Sequence, residues 1–377
     1  YLIDQGLPAQ QIQILTFTRR AASEIVTRVE QHMGAQSKGL RASTFHTFCM
    51  YLLRRVPKAF GLEQFSIIDR DDQVMMFRLI RGKDDKKNPN QLPKPQELCD
   101  LYSFARNTRQ KLSDALEKQH PEHLAFKDQI AEIMKEYETR KRARSFLDYD
   151  DILAIVASAL DQSEGLADYV ASLCKHMLVD EMQDTNPLQW ALLEPLKDKV
   201  SLFCVGDDAQ SIYGFRGADF ENIHHFKDRV PNAQVFKLEQ NYRSTNVILN
   251  AANAVIGNNP HIFEKALWSD KGRGEAIRVI TCRNDDDEAE RVVKDLITHK
   301  LMNGKNWKDY AVLYRGNFQS RVIETQLRQM QIPYKLSGGQ SFFARAEIKD
   351  IMSYLRLIIN PEDDSAFLRI INTPKRA

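Results

Sequence analysis

The sequence predicts an α/β protein built from parallel sheets with flanking helices, and three observations carry that reading. Short apolar runs at Ile12 to Phe17, Met177 to Val179 and Val200 to Val205 read as buried strands. Helical spacing or a helix-start signal follows the first two, the order expected of strand–helix units. Between them, from about Asp69 to Leu173, strand signals vanish and helical periodicity dominates, which predicts an all-helical insertion. The length of 377 residues, with 43% hydrophobic and 28% charged content, suits a soluble globular chain of two or three domains.

Taken in order, the first strand feeds a helix whose apolar face is Ala21, Ala22, Ile25, Val26 and Val29. Phe45, Phe48, Cys49, Leu52, Leu53 and Val56 keep helical spacing until Pro57 stops it. The insertion is broken by the polar, proline-bearing stretch Gly82 to Pro95. The sheet pattern resumes at Met177 and continues through Val205 to a further strand at Gln234 to Leu238. A second α/β pattern opens near Ala276, with a strand at Ile277 to Thr281 and a helix presenting Ala289, Val292, Val293, Leu296 and Ile297. A strand at Ala311 to Tyr314 and a helix around Val322 to Met330 follow. The acidic run Asp285 to Glu288 sits at a helix start, where the dipole favours negative charge, and reads as capping rather than a metal site. The domain division expected is 1–69 with 174–272, an insertion at 70–173, and a second domain at 273–377.

A net charge of +2 is too small to argue for nucleic acid by itself, so any such site must come from local placement. Five cysteines, far apart and without a CxxC pair, give no metal or disulfide framework and fit a reducing cytoplasm. No apolar run approaches membrane-spanning length.

Two stretches carry the chemistry. His176-Met-Leu-Val-Asp180-Glu181-Met-Gln183-Asp184-Thr-Asn186 ends an apolar strand in adjacent carboxylates, and Asn186-Pro187 then starts a helix. Such a pair suits a Mg²⁺ ion, which takes few carboxylates and keeps several waters, and can polarise an attacking water. Val205-Gly-Asp207-Asp208-Ala-Gln210-Ser-Ile-Tyr213-Gly-Phe215-Arg216-Gly-Ala218 joins acids and a glutamine to an aromatic–arginine cluster. Together they point to phosphate chemistry coupled to a polymer with stackable bases.

These stretches resemble motifs II and III of the superfamily 1 helicases of the UvrD, Rep and PcrA type. Three more blocks agree in order: Leu15-Thr-Phe17-Thr-Arg-Arg-Ala-Ala, Ala42-Ser-Thr44-Phe-His46 and Leu238-Glu-Gln-Asn241-Tyr242-Arg243-Ser. The last hundred residues are most similar to the Rep branch, through Tyr310-Ala-Val-Leu-Tyr-Arg315-Gly-Asn317 and the run Ser337 to Asp350. The resemblance implies RecA-like P-loop NTPase motor domains, with ATP and Mg²⁺ as cofactors, and DNA-stimulated hydrolysis. It also implies 3′ to 5′ movement on single-stranded DNA, action at single-strand/duplex junctions, and work in replication restart or repair with proteins of those pathways.

Residue by residue, the resemblance implies Asp180 and Glu181 at the metal and Glu181 as the base acting on water. Gln210 is implied as a γ-phosphate sensor, Arg243 as a second sensor, and Tyr242 as a stacking partner for adenine. DNA contacts fall to Phe17, Thr18, Arg19, Thr44, His46, Tyr213, Phe215 and Arg216, with Arg315 and Asn317 as weaker candidates. A phenylalanine is by default a core residue, but Gly214, Arg216 and Gly217 around Phe215 make a poor core setting. Met182 departs from the tyrosine usual in the family, and Ala209 from an aspartate. The basic run Arg140 to Arg144 suits either DNA contact or a solvated helix face, and His224-His225 reads as a surface pair.

None of the 16 glycines begins a Gly-Lys-Ser/Thr phosphate loop: Gly82-Lys83 precedes Asp84, and Gly304-Lys305 precedes Asn306. By the family's order that loop belongs before Tyr1 and motifs V and VI after Ala377, so an internal piece of a longer helicase, inactive alone, is the expectation. Two further readings stand beside it: a non-hydrolysing DNA-binding or interaction protein, and the motor portion of a helicase–nuclease.

Overall fold

The computed structural model describes the chain apart from residues 83–91, 220, 260–264, 338–345, 362, 372 and 375–377, and apart from the side chains of 216, 364 and 365. It divides into two compact units, Tyr1–Leu238 with Ile256–Lys265, and Glu239–Val255 with Ala266–Ala377.

In the first unit, β1 (Ile12–Thr16) leads to α1 (Arg19–Met33), and β2 (Arg41–Thr44) to α2 (Phe45–Arg55). β3 (Ser66–Ile67) precedes α3 (Arg70–Arg81), α4 (Pro95–Thr108), α5 (Leu112–Gln119) and α6 (Lys127–Ala143). β4 (Phe146–Leu147), α7 (Tyr149–Gln162) and α8 (Glu164–Leu173) bring the chain back to β5 (His176–Val179). After α9 (Pro187–Leu193) come β6 (Ser201–Cys204) and two single-turn helices, α10 (Glu221–His224) and α11 (Phe226–Arg229).

The four longer strands form one parallel sheet in the order β2-β1-β5-β6. All five residues of β1 are buried, as an inner parallel strand covered on both faces requires. Because every strand runs the same way, their C-terminal ends share one edge, where open α/β sheets bind ligands. The other side of β6 pairs with no strand among the described residues, and Phe203 there is 59% exposed.

Two cores divide this unit. One packs the sheet against α2, α7, α8 and α9, around Phe48, Leu52, Leu53, Leu153, Val156 and Trp190. Met182 is buried in it, so the departure from tyrosine changes a packing residue rather than a catalytic one. The second core, around Phe77, Leu98, Leu116, Ile130 and Tyr137, belongs to α3 to α6. The stretch read as wholly helical contains one strand, β4, which pairs in parallel with β3. A two-residue strand is too short to show alternation in a sequence.

The second unit contains α12 (Asn246–Ile256), α13 (Asp285–Asn303), α14 (Asn317–Gln329), α15 (Ala346–Ile359) and α16 (Asp364–Ile370). Asp285 to Glu288 occupy the first turn of α13, capped by Asn284, whose side chain accepts from the Asp287 N–H at 2.9 Å. Val293 on α13 packs with Leu327 and Ile332. The strands expected at Gln234 to Leu238, Ile277 to Thr281 and Ala311 to Tyr314 do not form among the described residues, where only an isolated Gln240–Trp268 bridge occurs in this part of the chain. A strand exists by pairing, and an apolar run without a neighbour stays unladdered: Val279 and Leu313 are both 93% exposed. No described helix is long and apolar enough to cross a membrane.

Candidate functional site

The sheet register sets the site. Leu15 pairs with Val179 and Thr16 with Thr44, so Thr16, Asp180 and the start of α2 stand at one sheet edge. Asp180 is anchored there by its N–H, which donates to the Leu15 carbonyl at 2.9 Å. Glu181 then takes a left-handed backbone conformation, φ 54°, uncommon for a non-glycine residue and of the kind found where function demands it. This turn ends the strand and places two carboxylates in succession at its tip.

Gln183, buried within the turn, ties the two chemical stretches together. Its amide donates to Oε2 of Glu181 at 2.7 Å, and its carbonyl oxygen accepts from the Asp207 N–H at 3.0 Å. Gly206 allows the approach, since a Cβ there would lie 2.9 Å from the Gln183 oxygen and 2.8 Å from Cδ1 of Ile223. Asp207 in turn accepts from the Gln210 side chain at 2.8 Å and is paired with Lys265, which also bonds Asp208 at 2.6 Å. Burial works against the charge of Asp207. The Lys265 ammonium, the Gln210 amide and the Ala209 N–H outweigh it and hold the carboxyl below its usual range. A continuous hydrogen-bonded path therefore runs Glu181–Gln183–Asp207–Gln210.

Among the described residues, no basic side chain forms an ion pair with Asp180, Glu181 or Asp184. Burial and then the charge of Glu181 raise the Asp180 carboxyl, and the same two causes push Asp184 up to about 6. Oδ1 of Asp184 and Oγ1 of Thr16 are buried without a hydrogen-bond partner. Oxygen-only donors, crowded negative charge and orphaned oxygens are what a hard divalent cation such as Mg²⁺ relieves, so the residues present fit that ion.

Three of the expected aromatic contacts come together. Phe17 and Tyr213 have ring centroids 5.0 Å apart, and Tyr213 and Phe215 6.0 Å apart. Phe215 is 65% exposed, so it is not a core residue. The loop that carries it is braced by α4: Gly217, at φ 81°, is so close to Thr108 that a Cβ would meet its methyl at 2.8 Å. Asn107 beside it accepts from the Asn186 side chain at 3.0 Å while donating to Asp150 at 2.8 Å.

Thr18 and Thr44 serve as helix caps, accepting from the Ala21 and Thr47 N–H groups at 3.1 and 3.2 Å. Arg19 is exposed at the start of α1. His46 packs edge-on to Tyr149 at 6.1 Å. Burial lowers its imidazole pKa; Asp150 opposes the shift and Arg19 adds to it, so the neutral form is favoured. The side chain of Arg216 lies outside the described residues, as does most of the run Ser337 to Asp350.

Tyr242, Arg243, Arg315 and Asn317 belong to the second unit. Tyr242 is 75% exposed and donates to Gln240 at 2.8 Å. Asn241 accepts from the N–H groups of Arg243 and Ser244 at 2.9 and 2.7 Å, fixing that turn. Arg315 and Asn317 are exposed around the start of α14.

Sequence reasoning passed over Gln183, Asp207, Lys265 and Asn107. Their importance lies in pairings across 24 to 79 residues of sequence, visible only once the chain is folded. The basic run at the end of α6 is also corrected in part. Lys141 is 1% exposed and bonds Asp148 and Asp151 at 2.6 and 2.7 Å, so it is neither a DNA contact nor part of a solvated face.

A family model of the UvrD/REP helicase N-terminal domain matches residues 1–231, and one of the UvrD-like helicase C-terminal domain matches residues 236–377. The chain is 43% identical to ATP-dependent DNA helicase Rep of Salmonella typhimurium and of Escherichia coli, over 98% of this chain and 55% of each relative. It is 38% identical to ATP-dependent DNA helicase PcrA of Staphylococcus aureus, over 100% of this chain and 51% of that relative. The chain thus spans about half the length of these curated relatives.

Proposed function

The chain belongs to the UvrD/REP helicase family, and on that premise we propose that it works as part of an ATP-driven motor moving 3′ to 5′ on single-stranded DNA. The observation that carries the reading is the path Glu181–Gln183–Asp207–Gln210, which joins the acid cluster to the loop bearing Tyr213 and Phe215. A change in hydrogen bonding at the acids then has a physical route to the aromatic surface.

In this reading Asp180 would hold Mg²⁺, with Glu181 beside it. The ion would neutralise charge on the nucleotide's phosphate oxygens. Glu181 takes the proton from the attacking water, with its carboxylate oriented by the Gln183 amide. Gln210 exchanges its bond to Asp207 for one to the γ-phosphate, and so reports cleavage. Arg243 adds positive charge to the transition state, and Tyr242 stacks on the adenine. Phe17, Tyr213 and Phe215 stack bases, while Thr44, His46 and Arg19 contact backbone phosphates at the junction of single strand and duplex. Pairing of motor and DNA in replication restart or repair is the role this activity suits.

A second reading, a DNA-binding module that does not hydrolyse ATP, draws on one observation: the sequence contains no Gly-Lys-Ser/Thr loop. DNA-stimulated phosphate release separates the two when measured for the full gene product and for Tyr1–Ala377 alone. The motor reading expects turnover by the first and background by the second. Background from both would support the module, and robust turnover by the short chain would require a nucleotide site built without the loop.

A further inference from the structure

The turn between α5 and α6 carries three metal-ligating groups within four residues, none of them part of the cluster described above. Nδ1 of His120 lies 3.1 Å from Oε1 of Glu122, and Nε2 of His123 lies 3.8 Å from the same oxygen. One ligand atom from each residue lies within 4.8 Å of the other two, the one such group of three among the described residues. We propose that His120, Glu122 and His123 form a binding site for a divalent transition-metal ion of the zinc class.

The spacing is the first argument. Ligand atoms about 2.0–2.1 Å from a tetrahedral zinc stand about 3.3 Å from one another. The separations of 3.1 and 3.8 Å bracket that value, and small side-chain rotations close the remainder. Donor chemistry is the second argument: two imidazole nitrogens and one carboxylate suit zinc, cobalt, nickel or copper, whereas magnesium and calcium call for oxygen alone.

Preorganisation is the third. Pro121 fixes the backbone between the first two ligands. The His120 N–H closes α5 on the Leu116 carbonyl at 2.8 Å, and the His123 N–H donates to the His120 carbonyl at 2.9 Å. The histidines are 23% and 17% exposed and Glu122 60%, which leaves the outer side of the site open to water as a further ligand. A bound ion would tie the end of α5 to the turn before α6, beside the second core, and would stabilise that region by mass action.

The competing account is an ordinary carboxylate–imidazole hydrogen bond with no ion. Metal-free Tyr1–Ala377 titrated with cobalt(II) chloride, read by visible d–d absorption, and with zinc chloride, read by calorimetry, decides between them. The site predicts one saturable equivalent, weakened about tenfold or more in each of His120→Asn, His123→Asn and Glu122→Gln. Far-UV circular dichroism should be unchanged, and Glu122→Gln alters only an exposed charge, so that variant is informative even if a histidine variant misfolds. No saturable equivalent in the parent, or an equivalent retained undiminished in Glu122→Gln, overturns the proposal.

Discussion

Replacing Lys141 with methionine should destabilise the helical part of the first unit by about 3 kcal/mol. Lys141 is 1% exposed, and its ammonium bonds Asp148 at 2.6 Å, Asp151 at 2.7 Å and the Tyr102 hydroxyl at 3.0 Å. Methionine keeps the volume but leaves two buried carboxylates without their shared counter-charge. Removing one partner of a buried pair typically costs about 3–5 kcal/mol. The lower end applies here because Asp151 retains Arg106 at 2.9 Å and Asp148 retains the Tyr137 hydroxyl at 2.9 Å. Hydrogen exchange of α4 and α6 amides is the assay, since a chain of two units need not unfold in one step. A loss of about 3 kcal/mol is roughly a hundredfold faster exchange through the cooperative opening. Arg142→Met is the control: its side chain is 83% exposed, and its effect should stay within about 0.5 kcal/mol.

The pH dependence has a definite sign. Burial, then the charge of Asp148, pushes the Asp151 carboxyl up to about 6. A raised acid costs stability when ionised, and the cost is relieved as pH falls through about 6 toward the unfolded value near 4. Asp148 is depressed: burial opposes its charge, but Lys141 and the hydrogen bonds win, so its contribution is lost only below the unfolded value. Without Lys141 the like-charge cost grows, and the deficit of the variant should narrow between pH 7 and pH 5. A deficit under about 1 kcal/mol, or one equal to that of Arg142→Met, would refute the buried-counter-charge argument.

Phe215→Ala should weaken single-strand affinity by about 1–3 kcal/mol in fluorescence anisotropy at fixed salt, the usual value of one stacked base; an unchanged affinity with the fold intact removes it from the DNA surface. Gly206→Ala should cost about 1–3 kcal/mol in urea unfolding, because its Cβ would displace the Gln183 oxygen or Ile223. A neutral outcome there would mean the loop can shift without breaking the bonds Gln183 makes.

Much of the first unit was legible because periodicity and punctuation agree there. Ile12 to Phe17, Asn186-Pro187 and the Phe45 to Val56 face fold as local rules dictate, since each burial pattern is complete within a few residues. The second unit was less legible. Ile277 to Thr281 and Ala311 to Tyr314 have strand composition, but pairing depends on a neighbour that composition does not specify. Lys141 illustrates a different limit. In sequence it sits among arginines as one more surface charge, and only the return of α7 brings Asp148 and Asp151 onto it. At the candidate site, the carboxylates and aromatics were readable from their motifs, whereas the coupling through Gln183 arises from tertiary contact alone.

The account rests most heavily on Glu181 as the group that accepts a proton from water. Steady-state phosphate release by the full gene product, with single-stranded DNA present, tests this in Glu181→Gln, where the amide keeps the shape but cannot act as a base. The account predicts a loss of about 10²–10⁴-fold, the usual contribution of a positioned general base, with DNA affinity unchanged. Turnover within a few-fold of the parent would contradict it.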